Sequence, residues 1–371
     1  MKNNNRHKKY YLFPFIILMI VIGSNNLIAQ SFSYSKVINT AAPSLRIVPD
    51  VRAAGMGEAG IATSADAGSV FRNLSQLPFA ASRTGFSAGY TPWMREVTNG
   101  MYLLGVSGYH RIDTFQAIAG SIRYFNLGDF ALQNQNGHIL QTAHPHDLLA
   151  DIGYSRRLSD KLSLGIALRY ISSSLANGSV DGVTYKAGET IAGDLSVYYH
   201  GLNSEGKGFS AGLTLSNLGA GINYTSNTAV KDYLPANLGI GGAYTTVVNN
   251  DHKIVVALDV NKLLVPALPA DSAGIAVYQT TGTGKALTKS FNNKAWQYSA
   301  GIEYVYKGQF ILRGGYVKAT ESMGNQSYAT TGLGIHEGIW AINFSYQVPS
   351  GAGISRNSTS NTFRFGLLFD L

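Results

Sequence analysis

The chain has 371 residues, a formal charge of +8 and no cysteine, so neither a disulfide framework nor thiolate chemistry is available to it. Only 13% of its residues are charged, against ~25% in soluble domains, while 42 Gly, 22 Tyr and 16 Phe are present. That balance argues against an ordinary soluble enzyme.

The first element is a basic start, Lys2, Arg6, Lys8 and Lys9, followed by an unbroken apolar run from Leu12 to Ile22 and by Leu27-Ile28-Ala29. This is the layout of a secretory signal peptide over 1–29. A transmembrane helix would need ~20 apolar residues, and the run has eleven. Removing 1–29 takes away four basic residues and no acid, which leaves 25 minus 21, or +4. A charge that small gives no reason to expect a nucleic-acid partner. Residues 30–82 form the next unit, a periplasmic or plug segment, and 83–371 the last.

From Gly85 onward the side-chain period is two. Leu162, Leu164, Ile166, Leu168 and Tyr170 share one face, and Ser163, Gly165, Ala167 and Arg169 the other. A strand points successive side chains to opposite faces, and here one face suits lipid and the other a polar lumen. Fourteen such segments are expected, at 83–91, 100–110, 114–125, 148–157, 161–172, 189–199, 208–217, 236–247, 252–261, 294–306, 308–318, 328–336, 338–348 and 361–371. No second long apolar run follows the signal, and only helices or closed barrels satisfy backbone groups in lipid. The fold expected is all-β: a transmembrane antiparallel β-barrel of about fourteen strands. Its connections alternate short and long along the chain. Outer-membrane barrels keep short turns in the periplasm and long loops outside, which places both ends of the barrel segment on the periplasmic side and the protein in the cell outer membrane.

The inward faces carry Arg123, Arg169, Arg313 and Arg364 against Asp151, Asp194, Asp259 and Glu303. Four against four suggests a paired interior, because a selective pore would show one dominant sign. The longest external loop, 262–293, opens with Leu263, Leu264, Val265, Pro266 and, after Ala267, Leu268. Facing water, this stretch would be a candidate partner contact; the competing possibility is that it folds back over the barrel mouth.

Several motifs tempt. Gly55-Met56-Gly57-Glu58-Ala59-Gly60 fits G-x-G-x-x-G, but no βαβ unit surrounds it. Gly85-Phe86-Ser87-Ala88-Gly89 and Gly208-Phe209-Ser210-Ala211-Gly212 fit G-x-S-x-G, but both lie inside strands, not at a strand-to-helix turn. His144-Pro145-His146-Asp147 looks like a metal cluster, but no further ligand is evident nearby and Pro145 stiffens the stretch, which favours a solvated loop. No catalytic residue, cofactor or metal is therefore expected.

Two resemblances remain. Arg52-Ala53-Ala54-Gly55-Met56-Gly57, Ala65-Asp66-Ala67 and Asn73 resemble the plug entry of FadL-like barrels, although the usual Asn-Pro-Ala is Asn73-Leu74-Ser75 here. The run Leu45 to Asp50, with Arg46, Pro49 and Asp50, continues through Arg52, Gly55 and Gly57 in a pattern similar to the PorV family of the type IX secretion system. Tyr90-Thr91-Pro92-Trp93, in the first external loop, extends the likeness. So do Ile122-Arg123-Tyr124-Phe125, Tyr233-Leu234-Pro235-Ala236-Asn237-Leu238 and the stretch from Asp259 to Pro266. The resemblance implies an outer-membrane component of that system. Its partners would be the translocon barrel, secreted cargo with C-terminal signal domains, a sortase-type attachment complex and membrane lipid. Two other classes stay open: a FadL-like transporter of hydrophobic small molecules, and a lipid-modifying barrel enzyme.

Overall fold

Period-two side chains make a wall with two chemically different faces, and the chain closes that wall on itself. The computed structural model describes residues 37–94, 100–133, 138–176, 178–180, 183–226, 231–249, 251–269, 271–350 and 361–371. The proposed signal peptide therefore lies outside the described residues. The strands in chain order are β1 (Thr84–Pro92), β2 (Tyr102–Arg111), β3 (Gln116–Asn126), β4 (Phe130–Gln133), β5 (Ile139–Ala143) and β6 (His146–Arg157). Then come β7 (Leu162–Ser174), β8 (Gly178–Val180), β9 (Val183–Tyr185), β10 (Gly188–Leu202), β11 (Gly208–Gly219), β12 (Asn237–Val248) and β13 (His252–Leu263). The last are β14 (Trp296–Tyr306), β15 (Phe310–Ala319), β16 (Ser327–Glu337), β17 (Trp340–Pro349) and β18 (Thr362–Asp370).

Fourteen of these form one closed antiparallel barrel; β4–β5 and β8–β9 are separate hairpins in two long loops. Closure comes from β18 on β1, running from Gly85 opposite Asp370 to Tyr90 opposite Phe365. The fourteen segments read from the sequence are the fourteen barrel strands, and the largest boundary difference is at the end of β10, Leu202 against 199. The two hairpins were not anticipated, nor were α2 (Ser272–Thr280) and α3 (Thr283–Ser290) in the longest loop. Their segments are too short and too polar to carry a clear period.

The outward face is apolar. Ile122, Ile152, Leu168 and Ile191 are more than half exposed, as lipid-facing side chains must be when no lipid is counted. Toward the long-loop end, rings of Tyr90, Tyr102, Tyr124 and His146 succeed one another at 6.1, 6.1 and 5.9 Å across four strands. Such a row is the aromatic girdle of a membrane interface. At the short-turn end, Asp113 closes a tight turn by accepting the N–H groups of Phe115 and Gln116 at 2.6 and 2.8 Å. Those bonds, the one from Phe115 first, hold its carboxyl below the usual carboxylate range.

The lumen is filled by the chain's own residues 37–82. The segment starts at the long-loop end, where the Ile38 N–H donates to Ser322 O and the Ala41 N–H to Tyr233 O. It passes down the lumen through α1 (Val51–Gly55) and leaves at the short-turn end, where Arg111 donates to Ala80 O at 2.6 Å. It then enters β1. The plug thus threads the whole barrel.

Candidate functional site

The plug lies against glycine. A side chain at Gly89 or Gly105 would meet Pro49 at 2.7 or 2.6 Å, and one at Gly301 or Gly315 would meet Met56 at 2.2 Å. Gly153 and Gly165 make the same room for Leu74 and Ser75. Gly57 needs glycine twice over: its φ is +63°, and a Cβ there would sit 2.5 Å from Tyr316 N. Of the glycines of the G-x-G-x-x-G motif, Gly55 and Gly57 therefore serve close approach of plug to wall and Gly60 close packing within the plug against Arg72, and the motif's strand-and-helix context is absent. Asn73 keeps its capping role beside the altered Leu74-Ser75. Its side-chain oxygen accepts from Ser75 N at 3.2 Å, and its amide donates to Ile61 O at 2.8 Å.

Charge pins what glycine admits. Six ionised groups alternate in sign along one chain of contacts: Asp50, Arg72, Asp66, Arg52, Glu303 and Arg313. The successive ion pairs measure 2.5, 2.7, 2.7, 2.7 and 2.8 Å. The first four belong to the plug and the last two to β14 and β15, so Arg52–Glu303 is the joint between plug and wall. Arg52 uses all five N–H groups. Two go to Glu303 at 2.9 and 2.7 Å, one to Asp66 at 2.7 Å, and one each to Ser64 O and Ser64 Oγ at 3.0 Å. Three cations against three anions leave the chain neutral, the condition under which buried charges are tolerated. Asp50 also caps α1, accepting from Arg52 N at 3.0 Å and Ala53 N at 3.3 Å.

A second neutral set lies in the wall. Arg169 meets Asp151 at 2.5 Å and Asp194 at 2.8 Å, Arg123 meets Asp151 at 3.4 Å, and Arg169 also bonds Asn217. Asp194 stands at a register shift in β10 between Gly193 and Leu195. The remaining inward charges turn to the plug. Arg364 lies 3.8 Å from Glu58, and Asp259 accepts the N–H groups of Gly60 and Ile61 at 2.6 and 2.9 Å. Seven of the eight inward charges of the wall thus meet an opposite charge, and Glu303, Arg364 and Asp259 reach plug residues, Asp259 through backbone N–H groups alone. Sequence reasoning missed Asp50, Glu58, Asp66 and Arg72 as ion-pair members. The signal available was their crowding into a segment with no strand period.

The long loop corrects one expectation. Leu263, Leu264, Val265 and Pro266 do not face water: they are buried at the barrel mouth. Leu263 and Val265 pack with Ile38, Tyr233, Ala286, Ala295, Ala319 and Met323. Asn293 ties the fold-back down, donating to Leu263 O at 2.9 Å and Val265 O at 2.6 Å, while the Lys262 ammonium donates to Asn293 O at 2.9 Å and lies 4.4 Å from the Trp296 ring centre. Tyr233 donates to the carbonyls of Tyr278 and Thr281 at 2.8 and 2.7 Å, and burial pushes the Tyr278 phenol up to about 12. The hydrophobic effect decides the matter: an apolar run beside an apolar mouth is cheaper to fold inward than to hydrate. Leu268 is exposed, and so are Val277 on α2 and Phe291 after α3.

Thr91 and Pro92, expected in the first external loop, instead end β1, paired with Leu103 and Tyr102 and buried, and the Trp93 ring that follows meets Phe125 edge-on at 6.2 Å. Ser87 and Ser210 are buried wall residues, and Ser210 donates to Ala62 O of the plug at 2.7 Å. His144 pairs with Asp129 at 2.7 Å in solvent, while Asp147 is buried and accepts from Ser44 and Ser173 at 2.6 and 2.5 Å. The His-Pro-His-Asp cluster is therefore split between two environments.

A closed fourteen-strand barrel threaded by an N-terminal plug defines the class by its fold, a transmembrane β-barrel like those of FadL-type proteins. The Ralstonia pickettii toluene transporter TbuX shares the fold with a TM-score of 0.55 and 13% identity, over 86% of this chain and 97% of that one. The P. putida toluene transporter TodX gives 0.51 and 13% over 86% and 97%, and a Pseudomonas aeruginosa FadL homologue 0.51 and 10% over 91% and 100%. At such identities the likeness is one of fold. A search among curated proteins gives no match. Within the class the particular family is identified by sequence: the family described as "Type IX secretion system protein PorV" matches residues 30–270, and the chain belongs to it.

Proposed function

We propose that this barrel is an outer-membrane component of the type IX secretion system. It collects secreted cargo through the cargo's C-terminal signal domain beside the translocon barrel and passes it to a sortase-type attachment complex. Family membership supports the system. The observation that carries the cargo role is the division of the molecule: the lumen is occupied and the charges between plug and wall are paired, whereas the long-loop end holds a braced cap exposing Leu268, Val277 and Phe291. Exposed apolar residues on an ordered scaffold suit protein contact better than transport. No catalytic role enters this reading, because the two G-x-S-x-G serines serve wall packing.

The test replaces 267–292 with a short Gly-Ser linker, keeping Leu263, Val265 and Asn293. Barrel abundance should be unchanged, while cargo co-purifying with the tagged barrel and cargo on the cell surface should both fall. Unchanged co-purification and surface delivery would refute the role.

One observation favours the transporter reading. A lipid-side notch of about 550 Å³ lies where β10 bulges, edged by Ile152, Ile166, Leu168, Leu195 and Leu218. That reading requires a small apolar probe to enter liposomes faster through the wild-type barrel than through one carrying Gly193→Leu.

A further inference from the structure

The arginines enclosed by the barrel differ in one respect. Arg52, Arg72, Arg169 and Arg313 each have a carboxylate within 2.8 Å. Arg46, at the end of the 3-10 turn Pro43–Arg46, makes its one hydrogen bond among the described residues to the thioether of Met323, at 3.6 Å, and feels Glu58 and Tyr328 only as nearby charge and dipole. A guanidinium has five donors and binds carboxylates in a fork, so a thioether leaves it largely unused. Glu58 faces the same space, but Gln297 holds it at 3.0 Å and Arg364 lies 3.8 Å away. Arg46, Arg364 and Glu58 together leave that floor one positive charge in excess.

Arg46 borders a cavity of about 460 Å³ at the long-loop mouth, within the usual range for ligand sites of about 300–1,000 Å³. Its lining mixes the apolar Ile47, Trp93, Met101, Phe125 and Leu127 with the amides of Asn39, Gln326 and Gln347. An acyl chain would satisfy the first set and waste the second, whereas an extended peptide uses both. The plug floors the cavity, so a chain passing through would have to turn back, whereas a chain end need not.

We propose that this mouth cavity receives the C-terminal carboxylate of an extended peptide, with Arg46 as its ion partner and Trp93 and Phe125 flanking an apolar side chain near the end. The proposal rests on the cargo-capture reading, and specifies which part of the cargo is gripped. A carboxylate bound bidentately in a partly desolvated pocket forms charge-assisted bonds that an amide cannot form.

The test uses the full barrel in detergent and the probe acetyl-Ala-Thr-Val-Leu-Ala with a free carboxylate, against the same peptide amidated and against octanoate. Binding is read by calorimetry. The free acid should bind about tenfold or more tightly than the amide. Arg46→Gln should abolish that preference and Arg46→Lys should keep part of it, which guards against a mere folding defect. Equal binding of acid and amide by the wild type, an undiminished preference in Arg46→Gln, or binding of octanoate alone would overturn the site. A parallel pull-down with an intact cargo signal domain separates the two levels. If the wild-type barrel retains no cargo, the functional reading fails. If it retains cargo and Arg46→Gln retains it equally, the carboxylate site fails alone.

Discussion

Replacing Arg52 by Met should release the plug without opening the barrel. Arg52 makes five hydrogen bonds, and its removal leaves Asp50, Asp66 and Glu303 facing only Arg72 and Arg313, one charge short of neutral. Breaking one partner out of a buried pair costs about 3–5 kcal/mol. Glu303 keeps Arg313 at 2.8 Å and Asp66 keeps Arg72 at 2.7 Å, so the lower end of that range applies. At ~1.4 kcal/mol per decade, about 3 kcal/mol raises the population of plug-released molecules roughly a hundredfold. The chain contains no cysteine, so one placed at Ala62, which is fully buried in the plug, is a clean reporter. Maleimide labelling of Ala62→Cys should accelerate by about two decades in the Arg52→Met background, while heat-modifiable gel mobility, a property of the wall, stays put. Adding Glu303→Gln restores neutrality and should recover much of the protection. A labelling rate within about threefold of the parent, or equal rates in the single and double variants, would refute the pinning argument.

Three shorter expectations accompany it. Gly57→Val, which puts a branched side chain at φ +63° against Tyr316 N and Ala300 O, should expose the same reporter with a cost of about 3 kcal/mol or more; unchanged labelling would mean the plug shifts freely. Ser87→Ala and Ser210→Ala should leave cargo delivery intact, and the Ser210 change should cost about 1 kcal/mol through the lost bond to Ala62 O; abolished delivery with normal barrel levels would revive the enzyme hypothesis. Tagged protein should fractionate with the outer membrane, and N-terminal sequencing should begin near Gln30; a start at Met1 in the mature barrel would reject the signal peptide.

The wall was legible because a strand in a two-faced environment repeats every two residues, and fourteen repeats leave little freedom. Leu162 to Tyr170 alternates apolar and polar in sequence and exposed and inward in the structure. The plug was legible only as motif. Asp50, Asp66 and Arg72 lie in short turns with no period, and their partners are distant: Glu303 lies 251 positions from Arg52. No local rule connects such pairs. The stretch Leu263 to Pro266 misled for the opposite reason: its hydrophobicity was plain, but whether it met water or Ile38 depended on where the plug began.

That starting point links the two halves of the molecule. Ile38 lies in the same apolar cluster as Leu263, Val265, Ala295 and Met323, so the first described turn of the plug is part of the external cap. Ser44 donates to Asp147 at the head of β6, and Arg46 touches Met323. From there the chain descends through Asp50 to the alternating charges that end on the wall at Arg313. A purely static plug would need only the lower anchors. Fastening its upper end to the loops means that displacing the cap must also disturb Ile38 and Arg46, the groups nearest the mouth. Below them the neutral charge chain resists further movement, because each break would strand a buried charge. The plug is thereby divided into an upper end fastened to the external loops and a lower end held by paired charges on the wall.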